Sequence, residues 1–443
     1  MERERSGLGT CTPRATERSN YRLAILLTLS MLYLLTYLHR MSPAVLAKAL
    51  MNEFALSALA ISLLSSLYFY PYAFAQVPIG VLSDVLGARN TIAGFMSISV
   101  IGCVLFAIAH DLYVLLIARA LIGIGVAGVF VPAIKAISLW FKSDEFASAL
   151  GVLKTFGGLG AVFSGYVLAV LLVTLGWRCS FLLFGFMTMA LTIACWLIVR
   201  DPRVAERRKG KSGLKGAAKL ILKSKNFWIL IVFQFLLNGA LYGFQGLWGG
   251  PYLIDVYKFD EVQAGACLSL IGIGLIVGAP VIGALSDKVF KSRKAVLSMF
   301  SGVFVLTWVP LAFFTTHIPP LLLHLVYFVM GFAGGVVVMV NTILKESFPL
   351  SMTGTAVSAV NMFPFLGGAA FQTGMGYVLD ILSRTHVIEE CYSLAFKLCL
   401  LGATTAFICS LLTEETFQAG EGGPELLAKG PLEAIASESN TRA

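Results

Sequence analysis

Apolar and polar residues follow one another along this chain in long blocks rather than in short periods. Twelve blocks of roughly 20 or more mostly apolar residues are separated by short polar connections, and a membrane-spanning helix needs about that length. The blocks lie at 22–46, 57–82, 91–109, 112–139, 146–172, 177–199, 226–254, 262–286, 295–315, 319–344, 352–379 and 393–413. The pattern therefore predicts an all-α membrane protein with twelve transmembrane helices in two six-helix bundles.

Composition and charge exclude the soluble and the nucleic-acid-binding classes. Of the 443 residues, 58% are hydrophobic and only 13% are charged, whereas about a quarter are charged in an average soluble domain. The net charge is +9, but 24 of the 33 basic residues fall in connections on one side of the predicted membrane and four on the other. Because the basic side is cytoplasmic in most membrane proteins, we expect a multi-pass protein of the cell membrane with both termini in the cytoplasm.

Polar stretches divide the chain into five parts. We expect a cytoplasmic N-terminal segment (1–20), a first six-helix bundle (21–199), a basic cytoplasmic linker (200–225), a second six-helix bundle (226–413) and a disordered cytoplasmic tail (414–443). The linker is expected to rest against anionic headgroups.

The two predicted bundles share short motifs at nearly one spacing. The segment 80–84 (GVLSD) recurs as 283–287 (GALSD), a shift of 203 residues, and each copy is followed by a basic residue, Arg89 or Arg293. Two further matches, at shifts of 207 and 208 residues, fall in the same relative spans. These matches predict a duplicated six-helix unit with the same orientation in both halves.

The motifs resemble the signature of the major facilitator superfamily. The family's G-x-L-x-D-x-x-G-x-R pattern in the loop after the second span is matched by Gly80, Leu82, Asp84, Gly87 and Arg89. The family also favours an arginine followed by spaced glycines in the fourth span, and Arg119 matches it. The resemblance covers residues 20–415 and implies a transporter rather than an enzyme, with two bundles that rock around a midplane site.

The resemblance also implies a gate on the cytoplasmic side. An aspartate at a helix end accepts hydrogen bonds from a neighbouring helix N-terminus, and a glycine lets two helices approach closely. Such contacts would exist only while the cytoplasmic side is shut. The predicted gating residues are Gly80, Asp84, Arg89, Asp287, Arg293 and Arg119.

Two basic residues deep within predicted spans mark a candidate substrate site, because charges inside a membrane are costly and usually functional. Arg40 shares a helical face with Tyr37 and Tyr33. Tyr-x-x-Arg segments resemble the first span of organophosphate exchangers and organic-anion symporters, which implies that Arg40 engages the substrate anion. Lys154 lies eight residues into the fifth span, and its counterpart in the second half is the neutral Asn361.

Stripes of neutral polar residues in two other spans are expected to line the same cavity. Tyr68 and Tyr72 are four residues apart in the second span. The seventh span carries a longer stripe on one face, made of Gln234, Asn238, Tyr242 and Gln245. Phenols and amides facing lipid would be unfavourable, so they should face a cavity or a helix seam.

The predicted spans have no Asp or Glu at their centres, which argues against a pump for cationic drugs. We therefore expect an alternating-access transporter of a small organic anion of the carboxylate type. It would be a symporter if a proton on His39 or His324 is coupled. The expected partners are the anionic solute and the lipid bilayer, with no nucleic acid, metal or cofactor, and the protein is expected to function as a monomer.

Three alternatives stay open on the sequence alone. They are a dipeptide or amino-acid facilitator, a drug efflux antiporter, and a sensor that binds a solute without moving it. The role of Lys135, near the end of the fourth span, is open as well.

Overall fold

A computed structural model describes residues 15–201, 220–348 and 350–417, and the regular elements in these ranges are helical. We refer to residues 15–201 as the first half and to residues 220–417 as the second half. Most of the predicted N-terminal segment, linker and tail lies outside the described residues.

The first half consists of five helices, two of which are much longer than a membrane is thick. They are α1 (Ala15–Met41), α2 (Pro43–Phe54), α3 (Ala58–Ala107), α4 (Leu112–Trp140) and α5 (Ser143–Ile198). The second half has shorter helices and two π-helical segments, Phe244–Trp248 and Leu285–Val289. Its α-helices are α6 (Lys225–Gly243), α7 (Gly249–Tyr257), α8 (Glu261–Ala284), α9 (Arg293–Phe313), α10 (Pro320–Gly334), α11 (Val337–Ser347), α12 (Leu350–Val360), α13 (Phe363–Leu382) and α14 (Ile388–Leu412).

A left-handed glycine interrupts each of the two longest helices where the sequence predicts a connection between spans. These are Gly87 (φ 83°, ψ 167°) in α3 and Gly176 (φ 76°, ψ 165°) in α5. Only glycine adopts these angles without strain. At Gly87 the Asp201 carboxylate occupies the place of a Cβ and accepts hydrogen bonds from the amides of Ala88 and Arg89, at 2.9 and 3.2 Å. The glycines thus break the helical path at two predicted connections.

Eleven helical stretches within the described ranges are long and apolar enough to cross a membrane. One of them, Ser148–Ile198, runs for 51 residues and contains the break at Gly176. An unbroken helix of that length would measure about 75 Å, against a hydrocarbon thickness of about 30 Å. Large apolar side chains such as Leu306, Leu321 and Leu401 are exposed on the protein surface, as expected for contact with lipid.

Two ends of the helical assembly are distinguished by their contacts. At one end, Arg22 of α1 pairs with Glu145 of α5, and the Asn226 side chain accepts a hydrogen bond from the Glu414 amide. We call this end the termini side. At the opposite end, the distal side, Lys48 of α2 pairs with an acid of α7 in the second half.

The two halves meet on the distal side and separate on the termini side. A Cβ on Gly250 would overlap the main-chain carbonyl of Ala44, and Gly165 packs directly against Gly265. Most of the described glycines that have no heavy atom within 4 Å of an ideal Cβ lie towards the termini side, namely Gly80, Gly94, Gly151, Gly283 and Gly354. The protein is therefore closed on the distal side and open on the termini side.

The distal Glu53 is expected to make the fold sensitive to acid. Partial burial raises the pKa of this carboxyl, but hydrogen bonds from Trp177 (2.6 Å) and Arg178 (2.5 Å) outweigh it and hold the pKa below its usual value. A carboxylate whose pKa is lowered by folding stabilises the fold above its ordinary pKa, and that contribution is lost as the pH falls through the lowered value.

Glu53→Gln should therefore lower the melting temperature at pH 7. On acidification, the melting temperature of this variant should fall less steeply than that of the unsubstituted protein. Thermal unfolding followed from pH 7 to pH 3 measures both effects. Parallel declines of the two proteins would contradict the assignment.

Candidate functional site

The Arg40 side chain lies at the end of α1, 1% exposed, where the two halves meet. Its guanidinium carbon lies near the centroids of four aromatic rings, those of Tyr37 (4.3 Å), Phe365 (4.8 Å), Tyr72 (5.1 Å) and Tyr242 (5.9 Å). The first half contributes Tyr37 and Tyr72, and the second half contributes Tyr242 and Phe365. We call Arg40 and these four rings the Arg40 cage.

Arg40 has no carboxylate partner among the described residues. Its Nε and Nη2 atoms are buried without a hydrogen-bond acceptor, and the ion pairs found in the described ranges do not include it. A buried charge without a partner costs several kcal/mol, of which each aromatic ring recovers about 0.5–2 kcal/mol. The cage therefore lacks an acceptor that a bound anion would supply.

Lys154 lies on the termini side of the cage. It shares a face of α5 with Gly157, one turn further along, and a Cβ on Gly157 or on Gly160 would lie 3.0 or 2.9 Å from a carbon atom of Tyr37. The Lys154 side chain is exposed and interacts electrostatically with the Tyr37 phenol. A solute entering from the open termini side would meet Lys154 first, then Tyr37 and finally Arg40.

The polar stripe of the predicted seventh span lies buried in α6 and the π-helical segment that follows it. Asn238 donates a hydrogen bond to the side-chain oxygen of Gln234, so these two amides partly satisfy each other. Gln245 lies within the π-helical segment, and neither polar atom of its side chain has a partner. Because π-helical segments within helices are frequent at functional sites, Gln245 is a second candidate contact for a solute.

Two of the predicted substrate residues are not among the four rings of the cage. The Tyr68 phenol nevertheless interacts electrostatically with Arg40, while its ring stacks on that of Tyr72 with centroids 5.8 Å apart and its hydroxyl donates to the Thr36 carbonyl at 3.1 Å. Asn361 follows α12 and is half-buried, and its described hydrogen bond is a backbone bond to the Val357 carbonyl. Asn361 thus makes no described hydrogen bond to Arg40.

The predicted gating residues of the first half make contacts within that half. Asp84 accepts a hydrogen bond from Lys135 at 2.9 Å, which gives Lys135 a partner that the sequence did not indicate. The Arg89 guanidinium lies 4.6 Å from the centroid of the Trp196 ring. Gly80 faces open space, in keeping with the separation of the halves on the termini side.

The gating residues of the second half form a cluster at the start of α9. Arg293 pairs with Asp287 and, at 2.9 Å, with Glu346, while its backbone amide donates to Glu415 at 2.8 Å.

The described ranges contain no group of three or more His, Cys, Asp or Glu side chains that could hold a metal. Arg119 lies apart from both clusters, because α4 begins on the distal side and Arg119 is the eighth residue of that helix.

Two features of the site were missed by the sequence analysis. Phe365 is an apolar residue in an apolar block, so no signal distinguishes it from a lipid-facing or core side chain. Lys48 and Asp255 are 207 residues apart in sequence but form a 2.5 Å ion pair between the halves, and the Tyr392 hydroxyl also donates to Asp255, at 2.8 Å. The available signal was an acid at the end of an otherwise apolar block.

Asp255→Asn is expected to loosen the distal closure. The pair with Lys48 is largely buried, so its loss should favour distal opening by about 1–2 kcal/mol, roughly a five- to thirty-fold change in population. Spin labels on Tyr113→Cys and Leu321→Cys, both exposed near distal helix ends, should move farther apart in electron–electron distance measurements. Exchanging the charges (Lys48→Asp with Asp255→Lys) should restore the short distance, and an unchanged distance in Asp255→Asn would refute the assignment.

The chain is similar in sequence to known membrane transporters. The chain is 24% identical to the "Probable sulfoacetate transporter SauU" of Cupriavidus necator, over 90% of this chain and 96% of that protein. It is also 24% identical to the "Probable L-galactonate transporter" of Escherichia coli (strain K12), over 89% of each chain.

A solved structure shares the fold. It is that of a bacterial homologue of the human lysosomal transporter Spinster in an inward-facing and occupied conformation, with a TM-score of 0.72, 18% identity and coverage of 89% of this chain and 97% of that one. The model of the family described as Major Facilitator Superfamily matches residues 29–372. The resemblance drawn from the sequence motifs is thereby confirmed, and the chain belongs to the major facilitator superfamily, whose members are membrane transporters rather than enzymes.

Proposed function

We propose that this chain carries a small organic anion of the carboxylate type across a membrane by alternating access. The observation that carries the proposal is the buried guanidinium of Arg40, which has two unpaired nitrogen atoms and is enclosed by rings from both halves. A carboxylate or sulfonate would accept charge-assisted hydrogen bonds from these atoms. Two relatives that are named as transporters of organic anions, sulfoacetate and L-galactonate, support the same solute class.

The proposed architecture has twelve spans in two bundles, residues 21–199 and 226–413. The breaks at Gly87 and Gly176 support it, since each divides one long helix into two lengths that match predicted spans. The protein would function as a monomer in the cell membrane, with both termini in the cytoplasm. The conformation described above would then be open to the cytoplasm.

Binding at the cage would favour movement of the halves because the solute touches both of them. A ligand shifts a conformational equilibrium only as far as it binds one state more strongly than the other. An anion held by Arg40 from the first half and by Tyr242 and Gln245 from the second would draw the halves together on the termini side. Release of this anion to the distal side would need the Lys48–Asp255 pair to open.

The two histidines that could carry a coupling proton, His39 and His324, make their contacts away from the Arg40 cage. His39 is buried within the first half, with its Nε2 atom 3.2 Å from the Thr188 hydroxyl. His324 lies in α10, where its Nδ1 atom is 2.6 Å from the Pro320 carbonyl. Neither contact involves the cage, so anion movement without an obligatory proton is the simpler mechanism.

Counterflow in proteoliposomes tests this function. Vesicles loaded with sulfoacetate, galactonate, a monocarboxylate, a phosphate ester, a dipeptide or a cationic dye are diluted into the labelled form of the same solute. We expect accumulation of at least one organic acid and none of the dipeptide or the dye. Binding of an acid without any flux would instead indicate a sensor, and accumulation of the dipeptide or the dye alone would overturn the proposal.

A further inference from the structure

Arg119 projects into an interior cavity of the first half that is separate from the Arg40 cage. The cavity lies between α2, α3, α4 and α5, and the residues that line it are all buried. Its walls are mainly apolar, with Leu46, Leu64, Phe106 and Phe181 among them. A permanent positive charge therefore faces a small enclosed space with little else that is polar.

Three hydrogen-bond donors at this cavity have no acceptor. Nε and Nη2 of Arg119 and the hydroxyl of Ser65 are buried without a partner. The remaining guanidinium nitrogen, Nη1, donates to the His39 carbonyl at 3.1 Å. The cavity lining contains no acid, and the ion pairs of the described ranges do not include Arg119.

The size of the cavity restricts what can satisfy these donors. The volume that the centre of a water-sized sphere can occupy in this cavity is about 10 Å³. The cavity can therefore hold one water molecule or one ion of comparable size. A water molecule would accept hydrogen bonds but leave the charge uncompensated, and a buried uncompensated charge costs several kcal/mol. A carboxylate solute is too large for this space, so the Arg40 cage and this cavity would take different anions.

We propose that the cavity binds a single halide ion, chloride under cellular conditions, between the Arg119 guanidinium and the Ser65 hydroxyl. The ion would neutralise Arg119 and join α3 to α4 through these two side chains. The Tyr68 ring, 5.1 Å from the Arg119 guanidinium carbon, separates the halide from the Arg40 cage. This inference does not depend on which solute the protein carries.

Halide-dependent thermal unfolding of the purified full chain tests the proposal in solution. Chloride or bromide replaces sulfate as the sodium salt at constant ionic strength, and we expect a saturable rise in melting temperature. Arg119→Met should abolish the halide dependence, and Ser65→Ala should raise the half-saturating concentration roughly tenfold. Arg22→Gln is the matched control, because it removes an arginine that lies over an aromatic ring outside both buried sites and should leave the halide dependence intact.

Bromide located by its anomalous scattering in crystals of the full chain tests the place of binding, whether or not Arg119→Met folds. We expect a peak within hydrogen-bond reach of Arg119 and Ser65. Absence of that peak would overturn the proposal, as would a peak confined to the Arg40 cage. A melting temperature that does not respond to halide, or an undiminished response in Ser65→Ala, would overturn it as well. None of these outcomes depends on transport, so the proposed function could fail while the halide site stands.

Discussion

Arg40→Gln is expected to abolish high-affinity binding of the transported anion. The substitution removes a buried charge whose partner arrives with the solute, and loss of one member of a buried charge pair costs about 2–5 kcal/mol. The dissociation constant should therefore rise by roughly 30-fold to several thousand-fold. Isothermal calorimetry with the organic acid that gives the strongest counterflow measures this change directly.

Two controls separate loss of binding from loss of fold. Arg22→Gln removes an arginine that also lies over an aromatic ring but pairs with Glu145 on the termini side, and it should leave the dissociation constant unchanged. The unliganded Arg40→Gln protein should melt near or above the temperature of the unsubstituted protein, because an unpaired buried charge is removed. Unaltered affinity in Arg40→Gln would exclude the cage as the binding site.

Gly250→Val is expected to hold the distal side open and to stop transport. A Cβ at this position would overlap the main-chain carbonyl of Ala44, which cannot turn aside as a flexible side chain can. Overpacking of this kind costs about 1–3 kcal/mol, so the distal-closed population should fall by roughly 5- to 150-fold. Spin labels on Val85→Cys and Val289→Cys, both exposed near the termini side, should come closer together.

Gly354→Val provides the matched control. This glycine has no heavy atom within 4 Å of its ideal Cβ in the conformation described here, so the substitution should be tolerated in that conformation. It would obstruct only the state in which the termini side is closed. In Gly354→Val, the distance between the labels at positions 85 and 289 should therefore stay long, whereas in Gly250→Val it should shorten. A shortened distance in both variants, or in neither, would contradict the rocking of the halves.

The parts of the site that lie on one helix could be predicted from the sequence. Arg40 and Tyr37 are one helical turn apart, so periodicity alone places them on one face. Periodicity likewise predicts the stripe from Gln234 to Gln245, and its four side chains are buried in α6 and the π-helical segment that follows it. A cation inside a long apolar block carries a strong signal, because few explanations other than function offset its cost.

Contacts between distant segments could not be predicted in this way. Phe365 joins the cage only because α13 packs beside α3 and α6, and nothing in its local sequence records that neighbour. The partners of Asp84 and Asp255 lie 51 and 207 residues away and are set by the packing of whole helices. The family motif predicts a gating role for Arg119, whereas its position along α4 places it at an interior cavity.

A structure of the full chain with its best-transported organic acid tests the central claim most directly. The account predicts that an acid oxygen lies within hydrogen-bond distance of Nε or Nη2 of Arg40, with rings of both halves around it. A solute bound elsewhere, or an Arg40 already paired with a carboxylate of the protein, would contradict it.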